Sequence, residues 1–446
     1  MEINLGKAEK FKFLTKNNKG HRKASFAKET WSKLKRNIPA MIGIVIIVAA
    51  ILISILGANI RPDSSPDANN QIYSIARMNP GFEVTILKVR KNNKIEKVSF
   101  LGKLFFGGQP KSYEEIPILN YEFKGSDVII EEYSSAQEND SYTPSYQSYS
   151  IVDVLFPLSI EKTIPYEMNN DGTIKYWLLD GTQKSSSLEQ LRNKVVKNNI
   201  ENVTYYLGTD KQGRDMLSRL MAGTIVSLSV GLIAVLISLI IGLFFGALAG
   251  FYRGWVDDII MFIINLVWSI PGLLLIISIT LIIGKGFTTI FFAVGLTMWV
   301  ELARMVRGQI MSIRELDYIE AGRALGYGDA RLIWKHVLPN IMGPVIVICA
   351  SNFAAAILIE AGLSFLGIGV QLPTPSWGFM IEQHKGLIMD PDKAYMALLP
   401  GIFIIMLVFA FMTLGNGLRD AFDTRENGGQ IAKGQLKGAP VDNLHG

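Results

Sequence analysis

Few residues in this 446-residue chain have the type and spacing for covalent or metal chemistry. The four histidines, His21, His336, His384 and His445, are scattered, so no metal cage and no metal-binding residue is predicted. Cys349 is the only cysteine and lies in an apolar run. It excludes an internal disulfide and a thiolate cluster, and fits a small buried apolar side chain. No G-x-x-x-x-G-K-[ST] run occurs, and Gly284-Lys285-Gly286 lacks the spacing, so no loop cradles a nucleotide's phosphates. No converging set of His, Asp or Ser points to catalysis. Two carboxylates, Glu301 and Glu360, stand alone in apolar stretches, which is not the chain of Asp, Glu and His that a proton-coupled carrier needs. Glu301 is expected to pair with Arg304 or Arg307 at helical spacing, or to be hydrated at an interface. Glu360 is costly in a helix bundle without a partner, so the expectation is that it faces a water-filled path.

The elements that must position these residues are membrane helices. The chain is 49% hydrophobic and 19% charged, against about 25% charged in soluble domains, and the apolar residues gather in long runs. A bilayer core takes about 20 apolar residues to cross as a helix. Six stretches qualify: Pro39–Gly57, Gly223–Phe251, Ile259–Gly284, Gly286–Val306, Asn340–Leu366 and Met396–Leu418. Pro271 should kink the third. Gly242, Gly246 and Gly250 form a small-residue stripe that lets another helix approach the second closely. Residues 1–38 carry eleven Lys and Arg against three Glu. The bias of basic residues therefore puts this leader, and after six crossings the C-terminus, in the cytoplasm. The net charge of +5 sits largely in that leader and does not point to nucleic acid. The long charged leader also argues against a cleaved signal peptide.

Between the first two spans lies a polar insert, residues 58–206, expected to be extracytoplasmic and β-rich. Phe82–Lys97, Val98–Phe106 and Thr173–Leu179 carry strand patterns, the last after a turn at Asn169–Gly172, whereas Ser134–Ser150 reads as a loop. Glu114, Glu115, Glu131 and Glu132 read as a solvated face. Position alone makes the insert a candidate dock for an extracellular substrate-binding protein. The Gly- and Lys-rich tail, 425–446, is expected to be disordered. The predicted fold class is thus an all-α polytopic membrane protein with six transmembrane helices and a β-rich insert between spans one and two. The leader (1–38) and first helix (39–57) precede the insert, and a five-helix core (207–424) follows it.

The most informative stretch is Asp317–Asn340, DYIEAGRALGYGDARLIWKHVLPN. Gly326 and Gly328 permit a sharp reversal, so two short helices joined by a turn are expected, with Ile319, Arg323 and Gly326 along one side of the first and Ala330–Val337 forming the second. Pro339 and Pro344 would mark the return to the membrane. This stretch resembles the signature loop of ABC importer permeases. Glu320 and Ala321 stand at its first two positions, Gly322 replaces a second alanine, Gly326 takes the glycine position, and Leu338 and Pro339 the L-P pair. His336 stands where the wider family has isoleucine, as in the peptide-importer branch. The resemblance implies a loop at 317–340 that ATPase subunits grip.

Two further stretches narrow the family. Leu207–Leu228, with Asp210, Gly213, Arg214, Asp215 and Arg219, resembles the entry to span two in dipeptide, oligopeptide and nickel importer permeases. Its charges read physically as a structural clasp. Glu360–Gly378, with Gly367, Gly369, Pro373, Pro375 and Trp377, resembles the family's loop between spans five and six. Trp377 would anchor at headgroup level, and Glu360 and Trp377 become pathway or outer-gate candidates. The resemblance implies a cell-membrane (plasma or inner membrane) permease subunit for oligopeptides or dipeptides, not itself an enzyme and binding no cofactor. ATP and Mg would be used by two ATP-binding cassette subunits. A second homologous permease, an extracytoplasmic substrate-binding protein and membrane lipid would be its other partners. Nickel is the second substrate reading, since the same motifs serve both. A membrane-anchored sensor or scaffold working through the insert is the reading from another class.

Overall fold

The computed structural model describes residues 28–422, apart from 101, 104–107, 135–142, 161–164 and 170–171. Most of the basic leader and the tail expected to be disordered lie outside the described residues. Five unbroken helices are long and apolar enough to cross a membrane. They are α1 (Ile38–Ile60), α4 (Met216–Tyr252), α7 (Phe287–Arg314), the continuous rod Asp329–Phe365 and α12 (Tyr395–Phe422). The sixth candidate is broken: α5 (Gly254–Trp268) and α6 (Gly272–Ile283) meet at 86°. The expected kink at Pro271 is therefore a corner. The Ser269 N–H still donates to Asn265 O at 2.9 Å, but Pro271 has no N–H to continue the ladder, and its fixed φ starts the next helix on a new axis.

The glycine stripe does what its spacing predicts. A Cβ at Gly242 would lie 3.0 Å from Trp299 O, at Gly246 2.6 Å from Ala303 O, and at Gly250 2.8 Å from Arg307 O. Bare glycine thus lets the backbones of α4 and α7 approach closely, and dispersion contacts replace the hydrophobic driving force that lipid does not supply. Gly43 of α1 meets Ala410 and Thr413 of α12 in the same way, at 2.6 Å. The first span is therefore packed against the last.

The insert is β-rich, built on two antiparallel sheets. Strands β1 (Phe82–Arg90), β2 (Tyr113–Lys124), β3 (Asp127–Glu132), β4 (Tyr146–Ser150) and β8 (Ile200–Tyr205) pair in the order β4-β3-β2-β1-β8. Strands β5 (Tyr166–Met168), β6 (Thr173–Trp177) and β7 (Gln183–Ser187) form the smaller sheet. Helices α2 (Ile151–Leu155) and α3 (Leu188–Asn198) close one shared core, where Leu87, Val128, Ile130, Val152, Ile174 and Leu191 are buried. Several local expectations are corrected. The first strand stops at Arg90, and the described residues of Val98–Phe106 hold no strand; Lys103 N–H donates back to Ser99 O at 2.8 Å in a turn. Tyr146–Ser150 is a strand and not a loop, because β3 supplies its ladder. Residues 170–171 of the expected turn lie outside the described residues; Gly172, at φ +76°, donates its N–H to Asn169 O at 3.2 Å just before β6.

Glu115 is not on a solvated face. Its carboxylate meets Lys111 Nζ at 2.7 Å, and the same ammonium lies 3.5 Å from buried Asp63. Burial pushes the Asp63 carboxyl up, but Lys111 and donors from Ser65 and Asn70 outweigh it and hold the group below the usual carboxylate range. The Asp63 backbone N–H donates to Ser218 Oγ of α4 at 2.8 Å, so this cluster fastens the insert to the bundle. Lys111→Met would leave two carboxylates facing one another without a cation. The expected result is a loss of about 2–4 kcal/mol in anchoring, read as faster proteolysis of the insert in intact membranes while the spans stay protected.

Candidate functional site

Two regions at opposite ends of the bundle carry the sequence-predicted site residues, and one helix joins them. In the first, α8 (Asp317–Ala324) is closed by a left-handed cap. Gly326 sits at φ +77° and its N–H donates to Arg323 O at 2.9 Å, while Tyr327 N–H reaches back to Gly322 O at 3.0 Å. Those two bonds make a Schellman cap, which requires the conformation only glycine adopts without strain. Gly322 answers for the missing alanine. It is buried, and a Cβ there would meet Leu332 Cδ2 at 2.8 Å, so an alanine would have to push the end of the Leu332 side chain aside. Ile319 and Gly322 form the buried side of α8, with Arg323 exposed at its edge.

The second short helix is not separate. α9 (Asp329–Leu332) runs through a widened turn at Ile333–Val337 into α10 (Leu338–Phe365). Leu338 N–H donates to Ile333 O, five residues back. The widening accommodates Pro339, whose ring would clash with the carbonyl four residues before it in a regular helix. Pro339 and Pro344 therefore do not interrupt the chain's return; Asp329–Phe365 is one 37-residue rod, about 55 Å long at 1.5 Å per residue. Leu332, Ile333 and Val337 are buried against Phe251, Val306 and Ile310. His336 is half-buried and stacks on Tyr327 at 6.0 Å, and Leu338 is half-buried beside the same cluster. Glu320, Ala321, Gly326 and Pro339 are exposed.

Sequence reasoning missed what ties this loop to the bundle. Arg253, at φ +56°, donates to Glu315 at 2.6 Å, and Arg314 donates to Phe251 O at 2.5 Å. Arg314 and Arg323 both lie over the Phe251 ring. It also missed Leu325 and Trp334, each 73% exposed on the loop, whose only signal was an apolar side chain in a polar stretch.

At the other end, Asp215 caps α4 by accepting from Ser218 N at 2.8 Å. Asp210 accepts from Gln212 N, Arg214 N and Arg214 Nε at 2.6–3.0 Å, and Arg219 lies 3.7 Å away. The clasp expected of these charges is present and buried. Trp377 begins α11 (Trp377–His384) and is 1% exposed. It is an interior pin and not the headgroup anchor expected of an aromatic residue near a span end. Its Nε1–H donates to Leu220 O at 2.9 Å, and its ring lies where a Cβ on Gly223 would be 2.6 Å away. Glu360 is fully buried and does not face an open path within this chain. One carboxylate oxygen accepts from Ser364 Oγ at 2.8 Å and from Ser376 Oγ at 2.6 Å, so Glu360 ties the rod's far end to the residue before Trp377. Ser376→Ala removes the longer-range of these bonds. It should cost about 1–3 kcal/mol, seen as a lower midpoint in a thermal unfolding scan of the purified chain in detergent.

Of the two expectations for Glu301, the ion pair fails and exposure to solvent is what remains. Glu301 is exposed and pairs with neither arginine. Arg307 instead binds Asp257 of α5 at 2.5 and 2.6 Å, and Arg304 donates to Asn265 at 3.2 Å while lying 3.8 Å over the Trp268 ring. Among the described residues no group of three His, Cys, Asp or Glu is placed to hold a metal ion.

A bundle of apolar helices, one of them broken at a proline, with an exposed capped loop on the end of a span, defines a polytopic membrane protein. Comparison with known proteins makes this specific. Residues 242–427 match the family described as binding-protein-dependent transport system inner membrane component, and residues 25–80 match the N-terminal TM domain of oligopeptide transport permease C. The chain is 38% identical over 222 residues to the glutathione transport system permease protein GsiD of Pectobacterium atrosepticum, half of this chain and 73% of that one. It is 37% identical over 221 residues to the oligopeptide transport system permease protein OppC of Bacillus subtilis, covering 50% and 72%. With the dipeptide transport system permease protein DppC of the same species it shares 38% over 236 residues, covering 53% and 73%. The chain belongs to the binding-protein-dependent transport permeases, the membrane subunits of ABC importers.

Proposed function

We propose that this permease forms half of a pathway for oligopeptides or dipeptides and is driven through the Asp317–Asn340 loop by ATPase subunits bound there. The observation that carries the reading is the rod Asp329–Phe365. Its start lies in the exposed loop and its far end holds Glu360, so a partner that shifts the loop shifts a whole span. A rigid-body movement needs no further relay. Glu320, Ala321 and Gly326 offer the exposed polar and bare backbone surface, with Leu325 and Trp334 the apolar contacts that a soluble partner would cover. Gly322, His336, Leu338 and Pro339 set the loop's shape. Glu360 and Trp377 position the far-end gate, acting through Ser376 and Gly223.

The basic leader supports placing both termini and this loop in the cytoplasm, with the insert outside. On this reading the partners are a second related permease, two ATP-binding cassette chains that use ATP and Mg, and a binding protein that meets the insert's side. The peptide class rests on the glutathione, oligopeptide and dipeptide in the relatives' names and on His336. Glu320→Arg reverses a charge on the exposed face without touching the buried side of α8. Its expected effect is loss of ATPase subunits on co-purification from native membranes, with normal amounts of the permease itself. Full retention of ATPase by this variant would remove the loop from the interface.

A further inference from the structure

Glu301 lies in α7, fourteen residues after Phe287 and five before Val306, toward the inner end of the fourth apolar stretch. It lies about 9 Å along the axis from the Arg307–Asp257 pair, toward the Phe287 end. It is exposed, and the two arginines within helical reach are engaged elsewhere. A carboxylate inside an apolar stretch faces the bundle interior or water and not hydrocarbon. Its neighbours at helical spacing are Thr297 and Arg304, which with it make a polar stripe along one side of α7. This span has the lowest mean hydropathy of the five unbroken ones, 1.5 against 2.1–3.0.

The corner between α5 and α6 lies against the same stretch. A Cβ on Gly272 would be 3.6 Å from Thr297, Trp268 lies under Arg304, and Glu301 falls between the two. Irregular backbone at membrane depth is tolerated where it is covered by protein or lines a water-filled cavity. Trp268 is 67% exposed, so the corner is open in this subunit. The α7 stripe and the broken helix thus form one wall, apolar at the corner and polar along α7, around a carboxylate with no partner among the described residues.

We infer that Glu301 lines the translocation path and binds a primary ammonium of the passing substrate, in a peptide its N-terminal amine or a lysine side chain. The inference rests on the importer reading above and gives the substrate site a charge preference. A carboxylate on the wall of a path attracts a passing cation and, being open to water, lets it go again.

The test uses the complete transporter reconstituted in proteoliposomes with its binding protein, and trialanine as probe, whose only cation is the N-terminal amine. Glu301→Gln should lower trialanine uptake at limiting concentration by about tenfold or more, the factor that 1.4 kcal/mol represents. Glu301→Asp should stay within about threefold of wild type, because charge and not length is required. A lysine-containing peptide blocked at its N-terminus then separates the two ammonium sources: equal sensitivity to Glu301→Gln assigns the side chain as well, insensitivity the N-terminus alone. Glu301→Cys in a Cys349→Ala background should react with a membrane-impermeant methanethiosulfonate, and trialanine should slow the reaction. Wild-type uptake by Glu301→Gln would overturn the inference. So would an unreactive Glu301→Cys in every nucleotide state, which places the residue against the second permease. No trialanine uptake by wild type would instead sink the peptide reading, and the labelling result would then decide the place of Glu301 by itself.

Discussion

Gly326→Pro should abolish ATP-driven uptake while the permease still inserts in the membrane. The position needs φ +77°, and proline is locked near −65°, so the left-handed cap is lost at about 3 kcal/mol or more. The substitution also deletes the N–H that Arg323 O accepts and disfavours the helical conformation of Leu325 before it. α8 then no longer folds back onto Leu332. Gly326→Ala is the informative control. Nothing lies within 4 Å of a Cβ built there, so alanine meets only the left-handed penalty of roughly 1–2 kcal/mol and should retain partial uptake. The measurement is uptake and ATP hydrolysis side by side at matched permease levels. Hydrolysis that persists without uptake marks uncoupling, and normal uptake by the proline variant would contradict the role of the loop.

Gly246→Leu should prevent the bundle from assembling. Even a Cβ at this position would lie 2.6 Å from Ala303 O and 2.8 Å from Val306 Cβ, and a leucine adds three more carbons. The obstacle is backbone, which does not rotate away, so α4 and α7 must separate along the whole stripe. Overpacking typically costs 1–3 kcal/mol in cores that adjust; here the loss should exceed about 3 kcal/mol because the close approach of the two helices is itself the stabilising contact. The expected result is aggregated or degraded permease in fluorescence-detected size-exclusion profiles. Gly308→Ala, in α7 itself where the backbone is helical and a Cβ meets nothing within 4 Å, should keep the monodisperse peak.

Length and periodicity made the spans legible, since about 20 apolar residues in a row admit few other structures. The α4 glycine stripe and the Gly326 turn were legible for a related reason: each residue type there answers a backbone need that no other meets. What escaped were features decided by partners distant in sequence. Arg304 and Arg307 face Glu301 on paper, but the α5 corner brings Asn265, Trp268 and Asp257 to them first. Trp377 reads as an interfacial aromatic until Gly223 leaves room for its ring inside the bundle. Pro339 reads as a break, yet a single widened turn carries the helix past it and joins the loop rigidly to span five. In the insert, β2 and β3 hid because their alternation is weak and their register is set by neighbours on both sides. Glu115 was read as solvent-facing because Lys111 and Asp63 approach it only in the folded structure.

The central claim is that a partner ATPase moves this permease through the Asp317–Asn340 loop. The most direct test is affinity purification of the tagged chain from its native membrane in mild detergent, with identification of the co-purifying chains and assay of ATP hydrolysis. The account predicts a second six-span permease and P-loop ATPases in the complex, with hydrolysis rising when peptide-loaded binding protein is added and both lost together in Glu320→Arg. A chain that purifies alone or with signalling proteins, without hydrolysis in several detergents, would contradict it and turn attention to the insert.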